Sequence, residues 1–231
     1  MSGPAAPKSP QNPDASLAEL RARVLAQAGE QPAPTRAQVS RQRGVAAVLV
    51  LLVTLALFFA WGGVRSSPRP DKLVLETALG SAILAVGIAL AALGRGRSML
   101  GRSRGWLWAV VVAAPLALFA WRVLASSQYP GMMVQWAERP GWRCFAFSCA
   151  LAVAPLLTVL WLRRGSEPVH PYLTAAAFGA AAGAGAWVLV DMWCPVAYVP
   201  HLLLGHVAPL LLLSVLGALV GSRILKLRKL R

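Results

Sequence analysis

The residues best suited to chemistry in this chain lie between two long apolar segments. Asp191 and Cys194 are three residues apart, and His201 and His206 follow within the next twelve residues. Ionisable side chains beside membrane segments are costly enough to indicate a function. Thiolate and imidazole groups bind zinc and copper(I), so this stretch is a candidate sensing or metal-binding site.

The composition indicates a membrane protein. The chain has 231 residues, of which 57% are hydrophobic and 13% are charged, and its formal net charge is +15. Lys and Arg lie in short clusters beside apolar segments, which is typical of membrane topology and not of a DNA-binding face. Basic and aromatic residues are not interleaved as they are in single-strand binders. We therefore expect the lipid bilayer as a partner and no direct contact with nucleic acid.

Six apolar segments are each close to the ~20 residues that cross a bilayer as a helix. We place them at 45–64, 73–94, 106–124, 143–162, 172–193 and 201–221. The fifth contains Ala175, Gly179 and Gly183 at intervals of four, a small-residue ladder that favours close contact with another helix. These segments predict an all-α membrane protein with six transmembrane helices.

The distribution of basic residues predicts the orientation of these helices. With the N-terminus inside, the inner segments carry 17 Lys and Arg residues and the outer segments carry 6. This bias favours a cytoplasmic location for both the N- and C-termini. We therefore divide the chain into a cytoplasmic tail (1–44), a six-helix transmembrane domain (45–221) and a basic cytoplasmic tail (222–231).

The cytoplasmic tail contains a predicted short amphipathic helix at residues 16–28, followed by a linker. Ser16 and Glu19 have the spacing of a capping box at the start of this helix. One helix face is apolar, and it is formed by Leu17, Leu20, Val24 and Leu25. Such a stripe binds either a soluble protein or the lipid surface, and the sequence leaves both alternatives open.

The predicted topology brings the chemically active residues to one membrane face. Cys144 lies at the outer start of the fourth helix and Cys194 at the outer end of the fifth, although the two are fifty residues apart. His201 and His206 begin the sixth helix at the same face, and Glu76 lies about one turn inside the start of the second. We therefore predict that both sulfur atoms are neighbours facing the periplasm.

Three interpretations of this convergence remain open. Cys144 and Cys194 form a disulfide in the oxidising periplasm, or they bind a soft metal ion such as zinc or copper together with Asp191, His201 or His206. The third interpretation is that these groups are satisfied polar residues at helix ends. His201 and His206 differ by about 140° on a straight helix, so only one of them is expected to face the thiols.

Three other polar side chains receive less specific predictions. Arg122 is expected to extend to the outer interface and to need no special role. Glu76 is expected to pair with Arg122, Arg65 or Lys72. Cys149 lies on a different face from Cys144 and is expected to behave as a small buried apolar residue.

Two local elements at their mutual spacing resemble a known family, the NrsF-type membrane anti-sigma factors. The first is Trp142-Arg143-Cys144 at the start of a helix that ends in Leu162-Arg163-Arg164-Gly165. The second is a helix rich in small residues that ends in Cys194-Pro195. The resemblance covers about residues 45–225. Where the family has His-Cys-Pro-Glu this chain has Trp193-Cys194-Pro195-Val196, so Asp191, His201 and His206 are the residues available to complete a metal site.

The resemblance implies a non-enzymatic regulator in the bacterial inner membrane. Such a protein holds an extracytoplasmic-function sigma factor inactive and releases it on a stress signal. Cys144 and Cys194 would be its sensing pair, with Glu76, Trp142, Arg143 and Pro195 as supporting residues. The helix at 16–28 would bind the sigma factor.

The residues also leave two other functions open. A small transporter or permease would use Glu76 and Asp191 as ion sites, but both carboxylates lie near one membrane edge and not at the midplane. A disulfide-exchanging oxidoreductase would use the thiols, but the chain has no Cys-x-x-Cys pair.

Overall fold

The computed structural model describes residues 17–19, 21–23, 25–26, 35–65, 69–94, 102–132, 141–164, 166 and 169–226. Within these ranges, six helices are long and apolar enough to cross a membrane. They are α1 (Arg36–Ala60), α2 (Asp71–Leu93), α3 (Arg104–Ser127), α4 (Trp142–Leu162), α5 (Pro171–Trp193) and α6 (Val199–Leu225). The prediction of an all-α protein with six membrane-capable helices is confirmed. The orientation of the termini stays a prediction.

Helix α1 begins earlier than the sequence analysis places it. It starts at Arg36, inside the segment that was expected to be a linker. The reason is a second capping box: the Thr35 hydroxyl accepts a hydrogen bond from Gln38 N, and Gln38 Oε1 accepts one from Thr35 N. These reciprocal bonds satisfy backbone donors at the helix start, so the helix forms before the apolar segment begins.

The chain separates into two units, residues 1–44 and 45–231. In the first unit, residues 17–19, 21–23 and 25–26 are helical, and Arg23 Nη2 bonds Glu19 Oε1 at 2.6 Å. Leu17 and Leu25 are 62% and 64% exposed. Leu20 and Val24 of the predicted stripe lie outside the described residues.

In the second unit, α5 is the central helix and packs against α2, α3, α4 and α6. In its most apolar stretch 72% of the residues are buried, whereas for α1 the value is 11%. The small-residue ladder explains this central position. A Cβ atom on Gly179 would lie 2.2 Å from the backbone oxygen of Leu213, and one on Gly217 would lie 2.4 Å from that of Ala175. The predicted close contact is therefore confirmed, and it joins α5 to α6.

We expect Gly179→Ala to weaken this contact, because the added methyl group cannot fit without moving the α6 backbone. Overpacking of this kind typically costs about 1–3 kcal/mol, to be measured by thermal or denaturant unfolding in detergent. Gly185→Ala is the matched control on the same helix, since its Cβ would meet nothing within 4 Å. Equal stability of the two variants would contradict this account of the α5–α6 contact.

Candidate metal centre

The candidate centre forms where three helices begin or end. Cys144 lies in the first turn of α4, Cys194 directly follows α5, and His201 lies in the first turn of α6. Two glycines permit the approach of α4 to α6. Gly141 has φ of +102°, and a Cβ atom there would lie 3.2 Å from the His201 oxygen. A Cβ atom on Gly205 would lie 2.9 Å from the Cβ of Cys144, so a larger residue would displace the thiol.

A single π-helical turn places the second histidine. Residues Leu203–Val207 of α6 form this turn, in which Ala208 N bonds to Leu203 O. Because an i→i+5 turn brings residues five apart to nearly the same side, His206 lies beside His201 and not ~140° from it. The ring centroids of the two histidines are 5.9 Å apart. The expectation that only one histidine faces the thiols, which assumed a regular α-helix, was wrong.

Four buried ligand atoms converge at this point. Cys144, Cys194, His201 and His206 each offer one atom, and these atoms lie within 4.8 Å of one another. His201 Nε2 is 3.4 Å from Cys144 Sγ and 3.1 Å from Cys194 Sγ. A tetrahedral zinc site has Zn–S and Zn–N bonds of about 2.3 and 2.0–2.1 Å, which corresponds to sulfur–nitrogen separations of about 3.5 Å. The group therefore has the composition and dimensions of a Cys2His2 metal site.

The electrostatics of Cys194 favour a thiolate. A hydrogen bond with Cys144 holds the pKa of the Cys194 thiol well below its ordinary value. Interactions with His201 and His206 act in the same direction, while burial opposes them. The thiolate is the form that binds metals and attacks oxidants and alkylating reagents, so Cys194 is the chemically activated cysteine.

A buried charge network lies directly behind the centre. Asp191 Oδ2 accepts hydrogen bonds from Ser81 Oγ at 2.7 Å and from Trp187 Nε1 at 2.9 Å. Its other oxygen, Oδ1, is 3.5 Å from Arg122 Nε and 3.7 Å from His206 Nδ1. The Arg122, Asp191 and His206 side chains are all fully buried. The expectation that Arg122 extends to the interface was wrong, because its guanidinium is the counter-charge of a buried carboxylate.

A second arginine fixes the end of α5 beside the centre. Arg69 donates hydrogen bonds to the backbone oxygens of Asp191 at 2.6 Å and of Met192 at 2.7 Å. It thereby satisfies carbonyl groups that the helix end leaves without partners. Burial, together with the nearby Arg122 charge, lowers the pKa of Arg69 to about 10, so it remains a cation at neutral pH. Arg69 is one of the six basic residues that the predicted topology places outside, and its position in the sequence does not indicate this role.

Aromatic side chains connect the centre to α1. Trp193, next to Cys194, meets Phe147 of α4 with ring centroids 5.4 Å apart. Phe147 in turn stacks on Trp61 at 5.0 Å and on Phe58 at 6.2 Å. Just beyond α1, Arg65 N bonds to Met192 O, and its guanidinium lies 4.8 Å from the Trp193 ring centre. We call Phe58, Trp61, Phe147 and Trp193 the aromatic link.

A cavity of about 480 Å³ borders the centre. Cys144, Cys194 and His201 contribute to its lining, so a small ion or reagent in the cavity would meet the ligands directly. The cavity is also lined by residues near the cysteines in sequence, among them Trp142, Arg143 and Pro195.

The remaining residues predicted for the site lie outside the four-ligand group. Asp191 is beside it, with Oδ1 facing His206 Nδ1. Glu76 pairs with Lys72 at 3.6 Å, one turn away on α2 and partly exposed, which is one of the three partners expected for it. Cys149 is half-buried and does not join the other two cysteines.

Comparison with known proteins identifies one family. The family model NrsF, described as a negative regulator of sigma F, matches residues 26–227 and so covers most of the chain. No curated protein and no solved structure shows significant similarity to the chain.

We expect alkylation of Cys194 by iodoacetamide to persist at lower pH than alkylation of the same residue in the denatured protein. An ordinary thiol loses its thiolate as the pH falls below about 8.5, whereas a lowered pKa keeps the thiolate until the pH falls through that lower value. His201→Ala should move the profile of Cys194 towards higher pH, because one stabilising hydrogen bond is removed. Peptide mass spectrometry gives the modified fraction. Coincident profiles for the native and denatured protein would contradict the activated state of Cys194.

Proposed function

The chain belongs to the NrsF family, the negative regulators of sigma F, and from this premise we propose that it is a membrane-bound anti-sigma factor with a sensor. It holds an extracytoplasmic-function sigma factor inactive at the inner membrane of a bacterium. Binding of a soft metal ion at the Cys2His2 centre, or oxidation of its thiols, releases the sigma factor. Family membership favours this regulator over the transporter and the oxidoreductase.

The distribution of charge supports the proposed orientation. The excess of Lys and Arg on one side, 17 against 6, favours cytoplasmic termini. In that orientation the start of α4, the end of α5 and the start of α6 lie at the periplasmic face. The sensor therefore meets ions from outside the cell, while the N-terminal segment meets the sigma factor inside.

The observation that carries the sensor proposal is the convergence of four buried soft ligands within 4.8 Å. Two thiolates and two imidazoles select zinc or copper(I) over the hard cations magnesium and calcium, which prefer oxygen ligands. Both ring nitrogens of His206 are buried without a hydrogen-bond partner, and a bound ion would satisfy one of them. Burying a polar group without a hydrogen-bond partner costs free energy, so the unpaired ring nitrogens of His206 support a role for this residue as a metal ligand.

Oxidation is a second signal for the same centre. Cys144 Sγ and Cys194 Sγ both lie within 3.4 Å of the same histidine nitrogen, so the two sulfurs are close to each other. The Cys194 thiolate would attack hydrogen peroxide to give a sulfenic acid and hydroxide, and the Cys144 thiol would then displace water from that sulfenic acid to form the disulfide.

The aromatic link provides a route from the centre to the cytoplasm. A bound ion would set new separations between Cys194 and the histidines and would thereby shift the neighbouring Trp193, which packs through Phe147 on Phe58 of α1. In the sequence, α1 follows the segment that we propose binds the sigma factor. For release, the occupied centre must favour one packing of α1 over another by a few kcal/mol, which changes the population of the two states by orders of magnitude.

The N-terminal helix at 16–28 is the proposed contact with the sigma factor. Its stripe of Leu17, Leu20, Val24 and Leu25 has the spacing of a helix that binds in an apolar groove. Leu17 and Leu25 are well exposed, while the oppositely charged pair Glu19 and Arg23 occupies another face. An exposed apolar stripe of this kind is the expected form of a partner-binding surface.

We expect the full-length tagged chain to retain a sigma factor during purification from its own cells, and zinc, copper or hydrogen peroxide to reduce that retention. In the double variant Cys144→Ser, Cys194→Ser these reagents should no longer reduce retention of the sigma factor, because both thiols, which are the soft ligands, are lost. Cys149→Ser is the matched control and should respond as the wild type does, since Cys149 lies outside the centre. Release from the double variant at the wild-type dose would refute the sensor role.

We expect Leu17→Asp, Leu25→Asp to reduce retention of the sigma factor at least tenfold without a signal, because charged groups would enter an apolar contact. Arg21→Ala, Arg23→Ala changes the polar side of the same helix and should reduce retention much less. Quantitative mass spectrometry of the co-purified sigma factor measures both effects. Equal losses in the two variants would exclude the apolar stripe as the binding surface.

A further inference from the structure

We infer that Asp191 is a positioning residue that orients His206 as a metal ligand, and that Arg122 holds Asp191 in place. This inference rests on the proposed metal centre and deepens it. Asp191 and Arg122 would thus set the affinity of the centre without touching the ion.

The geometry of Asp191 supports this role. One carboxylate oxygen is held by two hydrogen bonds, from Ser81 at 2.7 Å and from Trp187 at 2.9 Å. These bonds come from α2 and α5, so they fix the plane and direction of the carboxylate. The other oxygen, Oδ1, points at His206 Nδ1 at 3.7 Å. Asp191 therefore presents one acceptor to one nitrogen of the imidazole.

The surroundings of His206 complete the argument. Its ring packs edge-on against Trp187, with centroids 5.1 Å apart, and this contact restricts its rotation. Because Nδ1 faces Asp191, Nε2 is the nitrogen available to the ion. A histidine that binds a metal commonly donates its other N–H to a carboxylate, which fixes the tautomer and makes the ligand more basic. In the structure Nε2 has no hydrogen-bond partner and so remains available to an ion, while Nδ1 lies 3.7 Å from Asp191 Oδ1, so a small shift of the ring would complete that hydrogen bond.

The guanidinium of Arg122 compensates the charge of the Asp191 carboxylate in the apolar interior. Its Nε lies 3.5 Å from Asp191 Oδ1, and its guanidinium is fully buried. A buried carboxylate without a counter-charge is unfavourable and would be displaced or neutralised. Since Arg122 approaches the same oxygen that faces His206, it restrains Asp191 on the side where the histidine lies.

An ion pair that only supports the fold would show similar burial, so the test must separate the two roles. We expect Asp191→Asn to lower the zinc affinity of the full-length protein in detergent by 10- to 100-fold, the usual effect of losing such a partner. Competition with a chromophoric zinc chelator measures the affinity. Ser214→Ala removes another buried hydroxyl, which bonds within α6 to Leu210 O, and should leave the affinity unchanged.

A double-mutant cycle with His206→Ala provides the decisive readout. If Asp191 acts through His206, Asp191→Asn should cause no further loss of zinc affinity in the His206→Ala background. With cobalt(II) as a probe, the thiolate charge-transfer absorption should remain in Asp191→Asn, while the d–d bands shift towards those of His206→Ala. Equal losses in both backgrounds, or unchanged affinity in Asp191→Asn, would overturn the inference.

If the Asp191→Asn variant does not accumulate, Ser81→Ala and Trp187→Phe take its place in the double-mutant cycle with His206→Ala, because each removes one hydrogen bond from the carboxylate.

Two further outcomes distinguish a failure of this inference from a failure of the proposed function. A wild-type protein that binds neither zinc nor cobalt would overturn both the metal centre and this inference. Zinc binding with the expected cycle, but without release of a sigma factor, would contradict only the proposed function.

Discussion

The arrangement of the helices depends on one buried carboxylate. Asp191 lies on the central helix, and its partners Ser81, Arg122 and His206 come from α2, α3 and α6. Removing one member of a buried ion pair typically costs about 3–5 kcal/mol, because the remaining charge has no partner. An apolar replacement of the whole pair would often be no less stable, so stability alone does not account for it. The network of Asp191, Ser81, Arg122 and His206 instead requires four helices to occupy one mutual position, and that position is the one that assembles the candidate centre.

Close backbone approach is the second requirement for the centre. Gly179 and Gly217 allow α5 and α6 to touch, while Gly141 and Gly205 allow the start of α4 to reach the first turns of α6. In a membrane the hydrophobic effect does little to hold helices together, so packing between small residues contributes a larger share of the free energy of helix association. The glycines thus set the distances between helices, and the polar network sets their rotation. Together they bring the four candidate ligand atoms, from three segments of the chain, within 4.8 Å of one another.

Much of this architecture could be predicted from local sequence. The features that could not be predicted have a physical reason in common. Six helices follow from length and apolarity, and the nearness of Cys144 and Cys194 follows from counting helix ends. The partner of Arg122 is 69 positions away in the chain, and a lone arginine near a helix end fits an interfacial location equally well. The π-helical turn leaves no mark in the hydrophobic pattern, so His201 and His206 were expected to diverge. The early start of α1 was readable from Thr35 and Gln38, but the neighbouring prolines and charges suggested a linker.

Helix α1 has the fewest buried residues of the six membrane-capable helices, and it packs on α4 through Phe58 near its C-terminal end and Trp61 just beyond it. An open groove of about 410 Å³ lies between residues 46–53 of α1 and 154–161 of α4. A helix of 25 residues is about 37 Å long. If the aromatic contact serves as a fulcrum, a tilt of roughly 10° swings the opposite end by about 6 Å, a distance comparable to one helical turn. A small rotation at the aromatic contact would thus become a displacement of several ångströms at the N-terminal end of α1.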